Sequence, residues 1–153
     1  MLDVGCGPFS LLWRLALKPV GVDRSTARIR AYRSGGLGCV GSAAALPFAA
    51  GTFDAVASLG MLHHLGDDEA ARALAEMRRV TKPGGPVVVF DAVLPEPAWR
   101  RPLAWAIRQA DRGGFMRGEA ALCELLSVAG TWHVDRFTYA ATGLEGVVCV
   151  QRR

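Results

Sequence analysis

Lysine is nearly missing from this chain: of 18 basic residues, only Lys18 and Lys82 are lysines, and the rest are arginine. Arginine suits carboxylates and phosphates, but a net charge of +4 reads first as an ordinary solvated surface. Closely paired cysteines are missing too. Cys6, Cys39, Cys123 and Cys149 stand far apart, without the spacing of a zinc site or a redox dithiol, so no metal site is expected. They read as small buried hydrophobes. No run approaches the roughly 18 apolar residues that a membrane-crossing helix needs, and no basic-then-apolar leader opens the chain. These absences exclude a spanning protein, a disulfide scaffold and a zinc module, and the expected location is the cytoplasm.

What is present is a globular balance of 51% hydrophobic and 21% charged residues over 153 positions, enough for one domain covering residues 1–153. Short β-rich runs at Leu2 to Val4, Val20 to Val22, Phe53 to Ser58 and Val87 to Phe90 alternate with helical text. That alternation predicts an α/β fold, with a parallel sheet and crossover helices. The clearest helix spans Asp67 to Val80, with Ala70, Leu74, Met77 and Val80 on one stripe and Asp67, Asp68 and Glu69 in the first turn, where the helix dipole favours acids. Pro83-Gly84-Gly85 stops it. A second helix is expected over Glu119 to Ala129, closing at Gly130.

Between Leu94 and Met116, opened by Pro95 and Pro97, Trp99, Leu103, Ile107 and Ala110 recur at helical spacing among arginines. The stretch reads as an amphipathic insertion over residues 94–116. Its arginines, from Arg100 to Arg117, are not interleaved with a stacking platform, which argues against nucleic acid as a partner. The end of the chain, Val134 to Phe137 and Gly146 to Val150 with the Gly143 turn between, reads as an antiparallel hairpin.

The chemistry starts at Leu2-Asp3-Val4-Gly5-Cys6-Gly7-Pro8-Phe9-Ser10, an apolar strand running into close glycines and then a helix. Glycine is needed where the backbone turns tightly and a ligand comes near, and Pro8 suits the first turn of a helix. Asp23 ends the second apolar run, 16 residues beyond Gly7. In nucleotide-binding α/β folds, an acid at the tip of the second strand accepts hydrogen bonds from ribose hydroxyls. A simple capping role ahead of Ser25 is the other reading.

These strings, followed by Leu46-Pro47-Phe48, Phe53-Asp54-Ala55-Val56 and Arg79-Val80-Thr81-Lys82-Pro83-Gly84-Gly85, resemble the class I S-adenosylmethionine-dependent methyltransferases. The branch that includes ubiquinone and menaquinone biosynthesis C-methyltransferases is the most similar. The resemblance implies a Rossmann-like, mostly parallel sheet with helices on both faces. It implies S-adenosylmethionine as cofactor, a small-molecule methyl acceptor, and a cofactor site drawn from Asp3, Gly5, Gly7, Asp23, Ser42, Leu59 and Gly60. His63 and His64, in Met61-Leu62-His63-His64-Leu65, are candidate bases, with packing at the sheet edge as their plainer role. A homo-oligomer is compatible with all of this.

Two positions depart from the family pattern. Phe9 stands at the third glycine, where it is expected to narrow the cleft. Ser42 stands where an acid usually meets the adenine amine. They keep a second function in view, a catalytically silent methyltransferase-like binding or regulatory domain. A nicotinamide-binding dehydrogenase is a third reading, since Gly5-Cys6-Gly7-Pro8-Phe9-Ser10 nearly fits G-x-G-x-x-G/A, but the downstream phrases have no role in it. With only Leu2, Asp3 and Val4 between Met1 and the glycine turn, the first strand reads as short and the family's N-terminal cover segment as absent. An open cleft, or one closed by the 94–116 insertion, is the corresponding expectation.

Overall fold

The computed structural model describes residues 1–33, 35–95, 99, 101–109, 113–138 and 144–152. Among them runs a seven-stranded sheet of β1 (Leu2–Val4), β2 (Val20–Asp23), β3 (Gly38–Val40), β4 (Val56–Leu59), β5 (Pro86–Val93), β6 (His133–Thr138) and β7 (Glu145–Arg152). The spatial order is β3-β2-β1-β4-β5-β7-β6. The first five strands are parallel, while β7 pairs antiparallel with both β5 and β6. The chain winds from β1 out to β3 and then returns to lay β4 on the other side of β1. That reversal opens a crevice at the carboxyl ends of the strands.

Side-chain alternation along β2 shows how both faces are covered. Val22 and partly buried Val20 pack in the larger core, with Leu2, Val4, Val56, Val87 and the inner stripe of α2 (Asp67–Val80). Gly21 points the other way, since successive strand residues face opposite sides. A Cβ there would lie 2.6 Å from the ring of Tyr32, which belongs to α1 (Thr26–Tyr32). Tyr32 is fully buried and donates its hydroxyl to the Pro19 carbonyl at 2.9 Å. The helix α2 has the expected bounds, and α4 (Glu119–Ser127) lies in the same core through Leu122, Leu125 and Leu126.

Several boundaries differ from expectation for identifiable reasons. After the glycine turn comes a five-residue 3₁₀ helix, Leu11–Leu15, whose N-cap is Ser10, so Pro8 lies in the turn and not in a first helical turn. Phe53 is outside β4. It forms an isolated parallel bridge with Thr81, because its backbone is held by Val80 and Lys82 instead of by the neighbouring strand. The last helix stops at Ser127, two residues early, and Gly130 follows with φ +115°. Within the 94–116 stretch, the described helix is α3 (Pro102–Gln109), while Pro97 and Ala110 lie outside the described residues, as does Gly143. Cys6 and Cys149 are buried as expected, but Cys39 and Cys123 are half-buried.

The phrases downstream of the first two motifs meet one another away from the crevice. The Arg79 guanidinium donates to the carbonyls of Phe48 (2.9 Å) and Leu46 (3.2 Å) and to Glu76, whose carboxylate also accepts the Leu46 amide at 2.7 Å. Phe48 and Phe53 pack edge to face, and Lys82 pairs with Asp54 at 2.6 Å. Leu-Pro-Phe, Phe-Asp-Ala-Val and the Lys-Pro-Gly-Gly turn thus clamp α2 to the loops flanking β4.

Candidate active site

At the carboxyl ends of β1 to β4 lies a cleft of about 510 Å³, within the usual range for small-molecule and cofactor sites. Each strand contributes a short segment to it: Gly5 to Phe9 after β1, Val22 to Arg24 at β2, Gly41 to Ala43 after β3, and Leu59 to Met61 at β4. His64, Leu65 and Glu69 complete the side nearest α2. No described residue of the 94–116 stretch lines it.

The glycine turn is shaped by two different needs. Gly5 adopts φ +74°, and a Cβ on it would sit 2.7 Å from Met61 Cγ, so its replacement meets both strain and collision. Gly7 adopts φ +63° with nothing within 4 Å of a Cβ, so that position opens onto free space on the cleft wall. The Gly7 amide donates to Asp23 Oδ2 at 3.1 Å, and the Ser25 amide donates to Oδ1 at 2.8 Å. Arg28 approaches the same carboxylate at 3.5 Å. The capping reading therefore belongs to Ser25, whose hydroxyl accepts the Arg28 amide, while Asp23 braces the glycine turn. Each carboxylate oxygen has a second lone pair.

Asp3 lies beneath the turn and is not among the lining residues. It is 2% exposed and accepts the Ser10 hydroxyl at 2.5 Å, while Ser10 in turn accepts the Leu12 amide. Burial pushes the Asp3 carboxyl up to about 6, partly offset by the Ser10 hydrogen bond. Burial, helped by the nearby Asp3 and Asp23 carboxylates, likewise pushes the Cys6 thiol up to about 12. Cys6 lines the cleft as a neutral thiol, which disfavours it as a nucleophile. Ser42 lines the cleft with its hydroxyl accepting the Ala44 amide at 3.2 Å. Leu59 and Gly60 line it, Gly60 with φ +71°. Phe9 lies on the rim, 59% exposed.

The two histidines have separate surroundings. His63 is buried against Asp91 in the interior strand β5, not at the sheet edge. Its backbone amide donates to Asp91 Oδ2 at 3.2 Å, and its Nδ1 lies 2.5 Å from Oδ1. A carboxylate can only accept, so a neutral His63 carries its proton on Nδ1. Its Cε1 edge faces Gly60 and its Cδ2 edge faces Gly113. His64 lines the cleft, its ring centroid 4.1 Å from that of His63. Arg117 fastens this corner, donating to the carbonyls of Leu62 and Leu65 and to Asp67.

Sequence reasoning missed Asp91, Met61, Arg24, Arg28 and Glu69. Asp91 carried a signal, an acid set between the apolar runs Val87-Val88-Val89-Phe90 and Ala92-Val93-Leu94, where an unpaired charge would be costly.

Residues 2–89 match the model of a family described as a methyltransferase domain. Over 51 residues, 33% of this chain and 21% of the relative, the chain is 55% identical to demethylmenaquinone methyltransferase of Renibacterium salmoninarum. Its fold is similar to that of a SAM-dependent methyltransferase from Methanosarcina mazei, with a TM-score of 0.75 and 20% identity over 99% of this chain and 91% of that one. It is also similar to that of the [4+2]-cyclase SpnF, with a TM-score of 0.73 and 19% identity over 99% of this chain and 73% of that one. The chain spans less than half the length of the curated relatives it matches.

Proposed function

The chain belongs to the methyltransferase-domain family and has its class I fold, and from that premise we propose that it transfers a methyl group from S-adenosylmethionine to a small-molecule acceptor. The observation that carries the reading is the pairing of Gly7 and Asp23 on the β1–β2 wall of the cleft. It sets an acceptor-rich carboxylate beside a glycine with open space where a side chain would stand.

The residues present fit that cofactor. Asp23 has lone pairs for two ribose hydroxyls, Gly5 and Gly7 let the backbone come near, Ser42 offers its hydroxyl to the adenine end, and Leu59 and Gly60 flank the methionine end. Asp3 acts from behind, through Ser10, by holding the turn in shape. When bound, S-adenosylmethionine supplies a methyl group on sulfonium, already an activated leaving group, so the protein's work is alignment and exclusion of water. An acceptor that must lose a proton needs a base. His64 faces the cleft for that role, with His63 behind it, its tautomer fixed by Asp91. The cytoplasmic placement is part of the proposal, supported by four free thiols, a state favoured in reducing compartments. Among the described residues, no helix is long and apolar enough to cross a membrane.

Titration calorimetry with S-adenosylmethionine, S-adenosylhomocysteine and NAD tests the reading. Heat from the first two and none from NAD is expected. Measurable NAD binding without a response to either methionine derivative would refute it.

A further inference from the structure

Among the described residues, two carboxylates line the cleft, and only one of them is engaged. Asp23 accepts the amides of Gly7 and Ser25 and is approached by Arg28. Glu69 is half-buried on the side nearest α2, and among the described residues its carboxylate makes no hydrogen bond or ion pair. Its neighbours in the first turn of α2 are placed differently. Asp67 pairs with Arg117 at 2.6 Å, and Asp68 is exposed outside the cleft. An acid at the third position of a helix can reach back to the capping residue, but Glu69 makes no such bond with Gly66. A carboxylate partly withdrawn from water and left without a donor is matched to a ligand that brings one.

The loop after β3 shows which end of the cleft Glu69 serves. The Phe53 amide is held by the Val80 carbonyl, the Phe48 carbonyl by Arg79, and the Leu46 amide by Glu76. Followed backwards, the loop therefore runs along α2 from its C-terminus toward its N-terminus, and the next residues back that line the cleft are Ala43 and Ser42. Glu69, Ala73 and Glu76 share one stripe of the helix, with Glu69 about 10 Å beyond Glu76. The stripe that holds Leu46 thus carries Glu69 to the Ser42–Ala43 end of the cleft.

In the methyl-transfer reading, on which this inference rests, that end receives the adenine. Its exocyclic amine brings two N–H donors, and the Ser42 hydroxyl has a lone pair for one of them beside the Ala44 amide it already accepts. We infer that Glu69 accepts the other N–H, and that it is the residue by which this protein selects an adenine-bearing cofactor over one whose base lacks the amine. A carboxylate that meets an oxygen in place of that amine is left unpaired and repelled, and a site built to accept an N–H rejects analogues without it.

The test is calorimetry of the full chain with S-adenosylhomocysteine and with S-inosylhomocysteine, in which oxygen replaces the amine. The parent should prefer the adenosyl compound by about a hundredfold or more. Glu69→Gln, whose amide can turn either a donor or an acceptor to the base, should cut that preference by about tenfold or more. Glu69→Ala should weaken S-adenosylhomocysteine binding by about tenfold or more. Asp68→Asn, which removes a neighbouring charge outside the cleft, should match the parent with both compounds. A parent that binds the two compounds alike, a Glu69→Gln protein that keeps the full preference, or an Asp68→Asn protein that loses as much would overturn the inference and leave the methyl-transfer reading in place. A parent that binds neither compound would overturn both.

Discussion

Replacing Asp3 with asparagine should make the protein's stability less dependent on pH, and the size of the change follows from where Asp3 sits. Its carboxyl is almost wholly buried and is raised from 3.8 to about 6 in the folded chain. In the unfolded chain it returns to the ordinary value. A proton bound more tightly by the folded state stabilises it, and that stabilisation is complete below 3.8 and is lost as pH rises through about 6. Roughly two pKa units at 1.36 kcal/mol each amount to about 3 kcal/mol. The asparagine amide oxygen can still accept the Ser10 hydroxyl, and the side chain has no charge to desolvate. The stability of Asp3→Asn relative to the parent should therefore increase by about 3 kcal/mol between about pH 4 and about pH 7 and then level off. Urea denaturation of both proteins across that range measures it, and the difference cancels the other titrating groups. A gap constant to within about 0.5 kcal/mol across the range would show that Asp3 is not the buried acid described.

Asp23→Ala should weaken S-adenosylhomocysteine binding by about 1.5–3 kcal/mol, read by calorimetry; unchanged affinity would mean that the ribose is held elsewhere. Gly5→Ala should lower stability more than Gly7→Ala, because Met61 blocks the first Cβ and nothing blocks the second, whereas Gly7→Ala should retain a folded melt and lose cofactor affinity. Ser42→Asp should tighten cofactor binding, one carboxylate oxygen keeping the Ala44 amide and the other meeting the adenine amine. His63→Ala should destabilise the fold by about 3–5 kcal/mol by leaving Asp91 buried beside an apolar gap, measured by denaturation. His64→Gln should melt like the parent.

Particular residues show how far the sequence could be read. The bounds of α2 were legible because Asp67 to Glu69, the Ala70-Leu74-Met77 stripe and Pro83-Gly84 all specify the same helix. Gly7 and Asp23 were legible as a pair because the strand-turn-helix order brings their positions together. The 3₁₀ helix after the turn was not, since Leu11 to Leu15 has the composition of an ordinary helix and its end depends on Ala16 taking φ 57°. Asp3 was placed in the site by resemblance, but its contact is Ser10, and only packing shows which side of the turn it occupies. The His63–Asp91 contact joins residues 28 apart in sequence, and no local pattern connects them. Leu103 and Ile107 on α3 are exposed although they stand four residues apart like a buried pair, and periodicity alone does not say which face meets the core.

The claim on which the rest depends is that the crevice at β1, β2 and β3 holds the nucleoside of S-adenosylmethionine. A crystal structure of the protein with S-adenosylhomocysteine tests it most directly. The account predicts ribose hydroxyls within hydrogen-bond distance of both Asp23 oxygens, the Gly5-Cys6-Gly7 backbone alongside, and the adenine against Ser42 and Ala43. A ligand ordered elsewhere on the protein, or seated in the cleft with its ribose turned away from Asp23, would contradict it.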